Sequence, residues 1–316
     1  MGKILFIRGG AVGDFVLTMP AVHLVRERFP NNEIQVLGYP AIASLAVASG
    51  IADRVRSIED ARLATFFVPG ATLDKEWCDY FSSFDVVVSY LYDPDGYFSD
   101  NLTRSGVQTL LSGPFRAVDE PPFVSASLQL AAPLRALALY LESADLTLNY
   151  PDSSQSAAMD LRRYVALHPG SGSASKNWSF GLWAEVLSEL HRQLDVDFLI
   201  TSGEAERSTI KQFLTLLDKR SIPFTHLQGL ALSELGAVFN HVDFYLGHDS
   251  GISHLAASAG AEGLLLFGPT NPAVWAPASP KMKRLVSESQ SLGSISVENV
   301  LEALAHWSSS HPSRRN

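Results

Sequence analysis

The sequence predicts an α/β protein made of two doubly wound domains, and three observations carry that expectation. Short apolar runs of strand length alternate with amphipathic stretches of helix length along most of the chain. The alternation starts twice, at Lys3 and again at Tyr164, and each opening strand runs into a glycine-bearing turn. Between the two series, Tyr150–Ser156 (YPDSSQS) has the Pro and Ser content of a linker, so the domains are read as residues 1–155 and 156–316. At 316 residues the chain is long enough for two independent cores.

Lys3–Arg8 is a nearly continuous apolar run, as a strand covered on both faces of a parallel sheet requires. Gly9, Gly10 and Gly13 interrupt it, and a helical pattern follows through Val16, Leu17, Val22, Val25 and Phe29. Glu33–Leu37 reads as a second strand, Ile42–Val47 as a helix, and Asp53–Ile58 and Phe84–Ser89 as further strands. Residues 69–83 are ambiguous, and 91–125 mix turns with short helical pieces. Leu134–Leu141 looks helical and Leu146–Asn149 reads as a short strand. In the second series the expected strands are Tyr164–His168, Asp197–Ile200, Phe244–Gly247 and Gly263–Phe267. The expected helices are Phe180–Arg192, Glu204–Leu217, Leu232–Asn240 and Ser253–Ala259. Val297–Trp307 is amphipathic, a last helix with the option of packing back on the first domain, and His311–Asn316 is expected to fray.

Composition narrows the functional classes. Hydrophobic residues make up 46% of the chain and charged ones 18%, which disfavours intrinsic disorder. One cysteine, Cys78, excludes an internal disulfide framework and any Cys-clustered zinc or iron–sulfur site. The opening apolar run is too short for a signal peptide, and no run reaches the roughly 18 apolar residues of a membrane helix. The expectation is a soluble, cytoplasmic protein. A formal net charge of -9 argues against bulk nucleic-acid binding. Residues 1–155 hold 11 Lys+Arg against 18 Asp+Glu, a net of -7, so the acidity is concentrated in the first half.

Three glycine-marked turns carry the chemistry, each at the end of a strand and ahead of a helix, where open α/β sheets bind ligands. In Gly9–Asp14 (GGAVGD), Asp14 is placed either to cap the helix or to act as a general base. The spacing is neither G-x-G-x-x-G nor a Walker A pattern, so dinucleotide dehydrogenase and P-loop readings are weak. In His168–Trp178 (HPGSGSASKNW), serines, glycines and Lys176 form an anion-accepting loop, or else Lys176 is a solvated lysine ahead of a helix capped at Ser179. In Gly247–His254 (GHDSGISH), free backbone N–H groups, Asp249, Ser250 and His254 meet at one helix N-terminus, a natural place for phosphate. His254 is equally a candidate structural residue. Phe267–Pro272 (FGPTNP) adds a further polar turn on the same rim.

These segments together resemble glycosyltransferase family 9, the heptosyltransferases of bacterial lipopolysaccharide core synthesis and their relatives. The resemblance rests on Lys3–Pro20 (KILFIRGGAVGDFVLTMP), His168–Phe180 (HPGSGSASKNWSF), Leu246–Ala257 (LGHDSGISHLAA) and Leu265–Pro277 (LLFGPTNPAVWAP), four ordered motifs spanning nearly the whole chain. It implies a GT-B fold: two Rossmann-like domains facing across a cleft, the first binding acceptor and the second a nucleotide-sugar donor. It further implies inverting, metal-independent transfer of heptose from ADP-heptose to a glycan or lipopolysaccharide-core acceptor, with no cofactor beyond the ADP-sugar itself. By the same resemblance Asp14 and Lys176 are catalytic. Ser171, Gly172, Ser173, Lys176, Asp249, Ser250, Gly251 and His254 line the donor site, and Gly203 and Glu204 approach the nucleotide.

The expected partners are a nucleotide sugar and a saccharide or lipid-linked glycan acceptor, with transient contact at the cytoplasmic face of the inner membrane and a monomeric enzyme. A GT-B transferase using another nucleotide sugar, or a noncatalytic sugar-nucleotide-binding relative, is the alternative. The acidic first half weighs against a phosphorylated lipid acceptor unless Arg8, Arg54, Arg56, Arg62, Arg104 and Arg116 cluster locally, and it leaves a neutral glycan open. Tyr90, Tyr92, Tyr97 and Phe98 are candidates for an acceptor groove, or for core.

Overall fold

Strand β1 (Lys3–Arg8) is buried from Ile4 onward, which accounts for its unbroken apolar character. A computed structural model describes residues 2–159 and 162–310, so the expected fraying at 311–316 lies outside the described residues. The chain divides into two units, Met1–Ala144 and Asp145–Asn316.

In the first unit, β1 is joined by β2 (Glu33–Gly38), β3 (Arg54–Ser57), β4 (Val86–Ser89) and β5 (Leu110–Ser112) in a parallel sheet of order β3-β2-β1-β4-β5. Helix Val12–Arg28 follows β1 and packs on helix Ala126–Ala131. Leu5, Ile7 and Val87 of the sheet share a core with Trp77, Phe81 and Phe98. The ambiguous 69–83 segment contains helix Lys75–Ser82, with the Asp74 side chain accepting from the Trp77 N–H at its start. The 91–125 stretch contains helix Tyr97–Arg104 and β5, an edge strand of three residues, too short to show a period. The helix expected at Leu134–Leu141 is a 3₁₀ segment, Ala132–Leu137, stopped by Ala138 at φ 55°.

The second unit has β6 (Tyr164–Leu167), β7 (Asp197–Ser202), β8 (Phe224–Gln228), β9 (Phe244–His248), β10 (Gly263–Phe267) and β11 (Met282–Val286). They form one parallel sheet of order β11-β10-β9-β6-β7-β8. Both sheets are doubly wound; the strand order reverses between β1 and β4 in one and between β6 and β9 in the other. The edge strands β8 and β11 escape a reading based on apolar runs because polar residues interrupt each of them.

Two further expected elements need correction. Leu146–Asn149 is not a strand. It belongs to the second unit, with the Leu148 N–H donating to Ser258 O (2.6 Å) and the Tyr150 N–H to Asn240 Oδ1 (3.0 Å). Tyr150 also packs so closely on Gly236 that a Cβ there would lie 2.7 Å from its ring. These contacts put the division between units at 144/145 rather than 155/156. The helix expected from Glu204 begins only at Ile210; residues 204–209 are turns, in which the Glu206 side chain accepts from the Gly203 N–H at 2.8 Å. The last helix, Val297–Ser310, packs within its own unit on helix Phe180–Gln193, and Trp307 meets Phe244 at 4.6 Å between ring centroids. Burying a large side chain such as Trp307 contributes about 1.5–3 kcal/mol. Among the described residues no helix is long and apolar enough to cross a membrane.

Candidate active site

The second and third turns leave β6 and β9, the two neighbouring strands at the reversal of the second sheet. Lys176 ends the short 3₁₀ segment Ala174–Lys176, and its Nζ donates to Asp249 Oδ2 at 2.7 Å. Asp249 is buried while Lys176 keeps 30% of its side chain exposed, so the lysine has N–H donors left for a ligand. Ser250 caps helix Gly251–Ser258, its Oγ accepting from the Ser253 N–H at 3.2 Å. Ser171 Oγ lies 2.7 Å from Asn177 Oδ1 and 2.8 Å from Ser173 O, which pins the loop, and the Ser173 and Ser175 hydroxyls are 2.9 Å apart. Gly172 faces open space. Gly251 opens the helix, and His254 lies buried one turn in. The structure thus brings Lys176 and Asp249 into contact beside the helix start.

The support beneath is a pair of histidines. His248, fully buried at the end of β9, accepts at Nε2 from the Trp178 N–H (2.8 Å) and from Trp183 Nε1–H (3.2 Å). Its proton therefore sits on Nδ1, which has no hydrogen-bond partner of good geometry. His168, at the end of β6, has Nδ1 3.0 Å from Thr201 Oγ1 and Nε2 3.7 Å from Glu206 Oε1. Glu206 fills the space above Gly170, where a Cβ would come within 2.2 Å of its carboxylate. Glu204, named from the sequence, is exposed with Arg207 3.7 Å from its carboxylate, while Glu206 and His248, which the sequence reading did not single out, are buried. The signal for His248 was present in its position directly before Asp249; Glu206 had none beyond its proximity to Gly203.

Burial, helped by the neighbouring His168, pushes the His248 pKa down to about 3 against a pull from the Gly170 backbone. Burial lowers His168 as well, opposed by Glu206. The unfolded chain takes up protons near pH 6.5 that the folded chain refuses, so the stability these groups supply is complete above about pH 6.5 and drains away as pH falls. The urea midpoint is expected to fall steadily between about pH 6.5 and pH 4, by an amount worth several kcal/mol. His248→Gln, which keeps an acceptor for the two N–H groups, should flatten that slope; an unchanged slope would remove His248 as its cause.

In the first unit, Asp14 occupies the first turn of helix Val12–Arg28, and its Oδ2 accepts from the Ala11 N–H at 3.0 Å. Gly10 has φ 97°, and a Cβ there would lie 2.7 Å from the same carboxylate oxygen. Asp14 stays 41% exposed, with its other oxygen 3.5 Å from Arg8 Nη2. Arg8 is almost wholly buried: Nη1 donates to Phe115 O at 2.9 Å, Nη2 to Asp14 O at 3.3 Å, and the guanidinium lies 5.6 Å from the centroid of Tyr90. Arg8 therefore positions Asp14 and is not available to an acceptor. Four of its companions are paired or hydrogen-bonded within the unit. Arg56 and Arg62 both bind Glu76, Arg54 stands near Glu33, and Arg104 bonds Asn101. Of the four aromatic candidates, Phe98 and Tyr90 are buried, while Tyr92 and Tyr97 are exposed. Among the described residues no group of three or more His, Cys, Asp or Glu side chains is placed to hold a metal ion.

The sequence profile of glycosyltransferase family 9 (heptosyltransferase) matches residues 103–304. The chain belongs to glycosyltransferase family 9. Lipopolysaccharide heptosyltransferase 3 of Escherichia coli is 21% identical over 299 residues, 85% of this chain and 84% of its own. A family 9 glycosyl transferase from Veillonella parvula superposes with a TM-score of 0.78 at 16% identity, covering 98% of this chain and 97% of that one. E. coli ADP-heptose lps heptosyltransferase II gives 0.73 at 18% identity, covering 98% and 99%. Those likenesses establish the fold as the GT-B pair of Rossmann-like domains. As a family 9 member the protein is a glycosyltransferase that takes its sugar from a nucleotide-sugar donor.

Proposed function

We propose that this protein transfers heptose from ADP-heptose to a hydroxyl of a glycan or lipopolysaccharide-core acceptor, with inversion and without a metal ion. The first unit receives the acceptor and the second the donor. The observation that carries the reading is the contact between Lys176 and Asp249 at the capped start of helix Gly251–Ser258, which sets an ammonium and free helix N–H groups at one place. Such a site stabilises the negative charge that grows on a departing diphosphate. Asp249 holds Lys176 in position and accepts hydrogen bonds from donor hydroxyls. Asp14 takes the proton from the acceptor hydroxyl as its oxygen bonds to the anomeric carbon, and the bond from that carbon to the diphosphate oxygen breaks on the opposite face. Ser171, Gly172 and Ser173 border the phosphates, and Gly203 with Glu204 the nucleoside.

Calorimetry with ADP, UDP, GDP and NAD tests the donor. ADP is expected to bind most tightly, and tighter binding of UDP or GDP would overturn the ADP-heptose assignment. Product analysis with ADP-heptose then reads the anomeric configuration; a retained configuration would overturn the single-displacement mechanism.

A further inference from the structure

We propose that the groove at the carboxyl edge of the first sheet receives its acceptor as an uncharged saccharide, seated on aromatic rings and hydrogen-bonded to carboxylates, and that it selects against phosphorylated sugars. The inference rests on the glycosyl-transfer reading above and names the acceptor class at that site.

Two adjoining cavities of about 360 and 250 Å3 share Leu91, Tyr92 and Phe115. Their walls come from the segments that follow all five strands of the first sheet, with Gly9 and Gly10 contributing next to Asp14. The first cavity alone falls within the roughly 300–1,000 Å3 usual for a small-molecule site, and the second extends it. The walls are aromatic and open to solvent: Tyr92 is 65% exposed, Phe115 52%, and Tyr39 and Phe67 about two-fifths. Tyr92 and Phe115 are tilted at 57° with centroids 5.3 Å apart, leaving ring faces free for the C–H faces of a pyranose.

The charge at the groove is all of one sign. Glu59 lines the first cavity and Asp93 the second, and neither lining includes Lys, Arg or His. Two helix N-termini border it, and each already holds a carboxylate of the chain. Asp14 accepts from the Ala11 N–H at the start of Val12–Arg28. Asp93 accepts from the N–H groups of Phe98 (3.0 Å) and Ser99 (2.9 Å) at the start of Tyr97–Arg104. One amide at the first of these helix starts and two at the second are therefore already satisfied by the chain's own carboxylates, whose charge also opposes a phosphate there. Arg8 beneath the groove is committed to Asp14 and Phe115 O, and the exposed Arg116 is part of neither lining. A phosphate ester here would meet carboxylates with no cation among the lining residues, whereas sugar hydroxyls would donate to those same oxygens.

The test is calorimetry or saturation-transfer NMR on the full chain, with and without ADP, using a neutral disaccharide methyl glycoside and the same compound carrying one phosphate monoester. Near pH 7 and about 0.1 M salt the neutral probe should bind about tenfold more tightly or better. Tyr92→Ala should weaken it about tenfold while ADP affinity stays within about twofold, and Glu59→Gln should narrow the ratio between the probes. Equal or tighter binding of the phosphate ester overturns the inference, as does binding of neither probe or indifference to Tyr92→Ala. Failure of ADP to bind would instead strike the donor assignment, since the probe ratio is also read without nucleotide.

Discussion

Asp14→Asn should lower kcat about 10²- to 10⁴-fold and leave ADP affinity within about twofold of the unsubstituted protein. The amide keeps an oxygen to accept from the Ala11 N–H, so the start of helix Val12–Arg28 survives while the capacity to take a proton is lost. Removing a negative charge 3.5 Å from Arg8 costs little stability, because Asp14 is 41% exposed and Arg8 retains the carbonyls of Phe115 and Asp14. Calorimetry with ADP and initial rates with ADP-heptose separate the two effects. Turnover that persists within a few-fold of the original would remove Asp14 as the base.

A second large effect is expected at Lys176. Lys176→Ala removes the cation beside the helix start, and a donor group of this kind is worth about 10²–10³ in kcat. ADP should bind more weakly as well, because its diphosphate meets the same ammonium in the ground state. The substitution also leaves Asp249, buried and facing the same point, without its partner at 2.7 Å, so a loss of about 1–3 kcal/mol in stability accompanies it. Lys176→Arg restores the charge without the compact ammonium and should recover ADP binding more fully than turnover. A Lys176→Ala protein with unaltered kcat and ADP affinity would overturn the role given to this residue.

The doubly wound architecture was legible wherever a strand is covered on both faces. β1, β2, β6, β7, β9 and β10 announce themselves as apolar runs because no face of the sheet is left to water there. The edge strands β8 and β11 pair on one side only and are interrupted by polar residues, and the edge strand β5 has only three residues, so none of them stands out as an apolar run. The site follows the same logic. Asp14, Lys176 and Asp249 stand in turns whose glycines and position after a strand mark them out. Glu206 and Arg8 do not: what each does depends on a backbone or side-chain partner that only the fold brings near, Gly203 N–H with His168 for one and Phe115 O with Asp14 for the other. Arg8 read as a candidate surface cation, whereas burial makes it an internal strut.

That strut ties together two properties that evolution would otherwise be free to vary separately. The guanidinium of Arg8 grips the carbonyl of Phe115, a wall of the groove, and with its other edge the residue proposed as base. Substitutions that remodel the 113–115 loop to admit a different acceptor are therefore felt at Asp14, since residues within one hydrogen-bond network do not respond additively. A lineage that drifts toward a new acceptor must keep this loop's backbone in register while changing its side chains, and specificity is inherited together with catalytic competence.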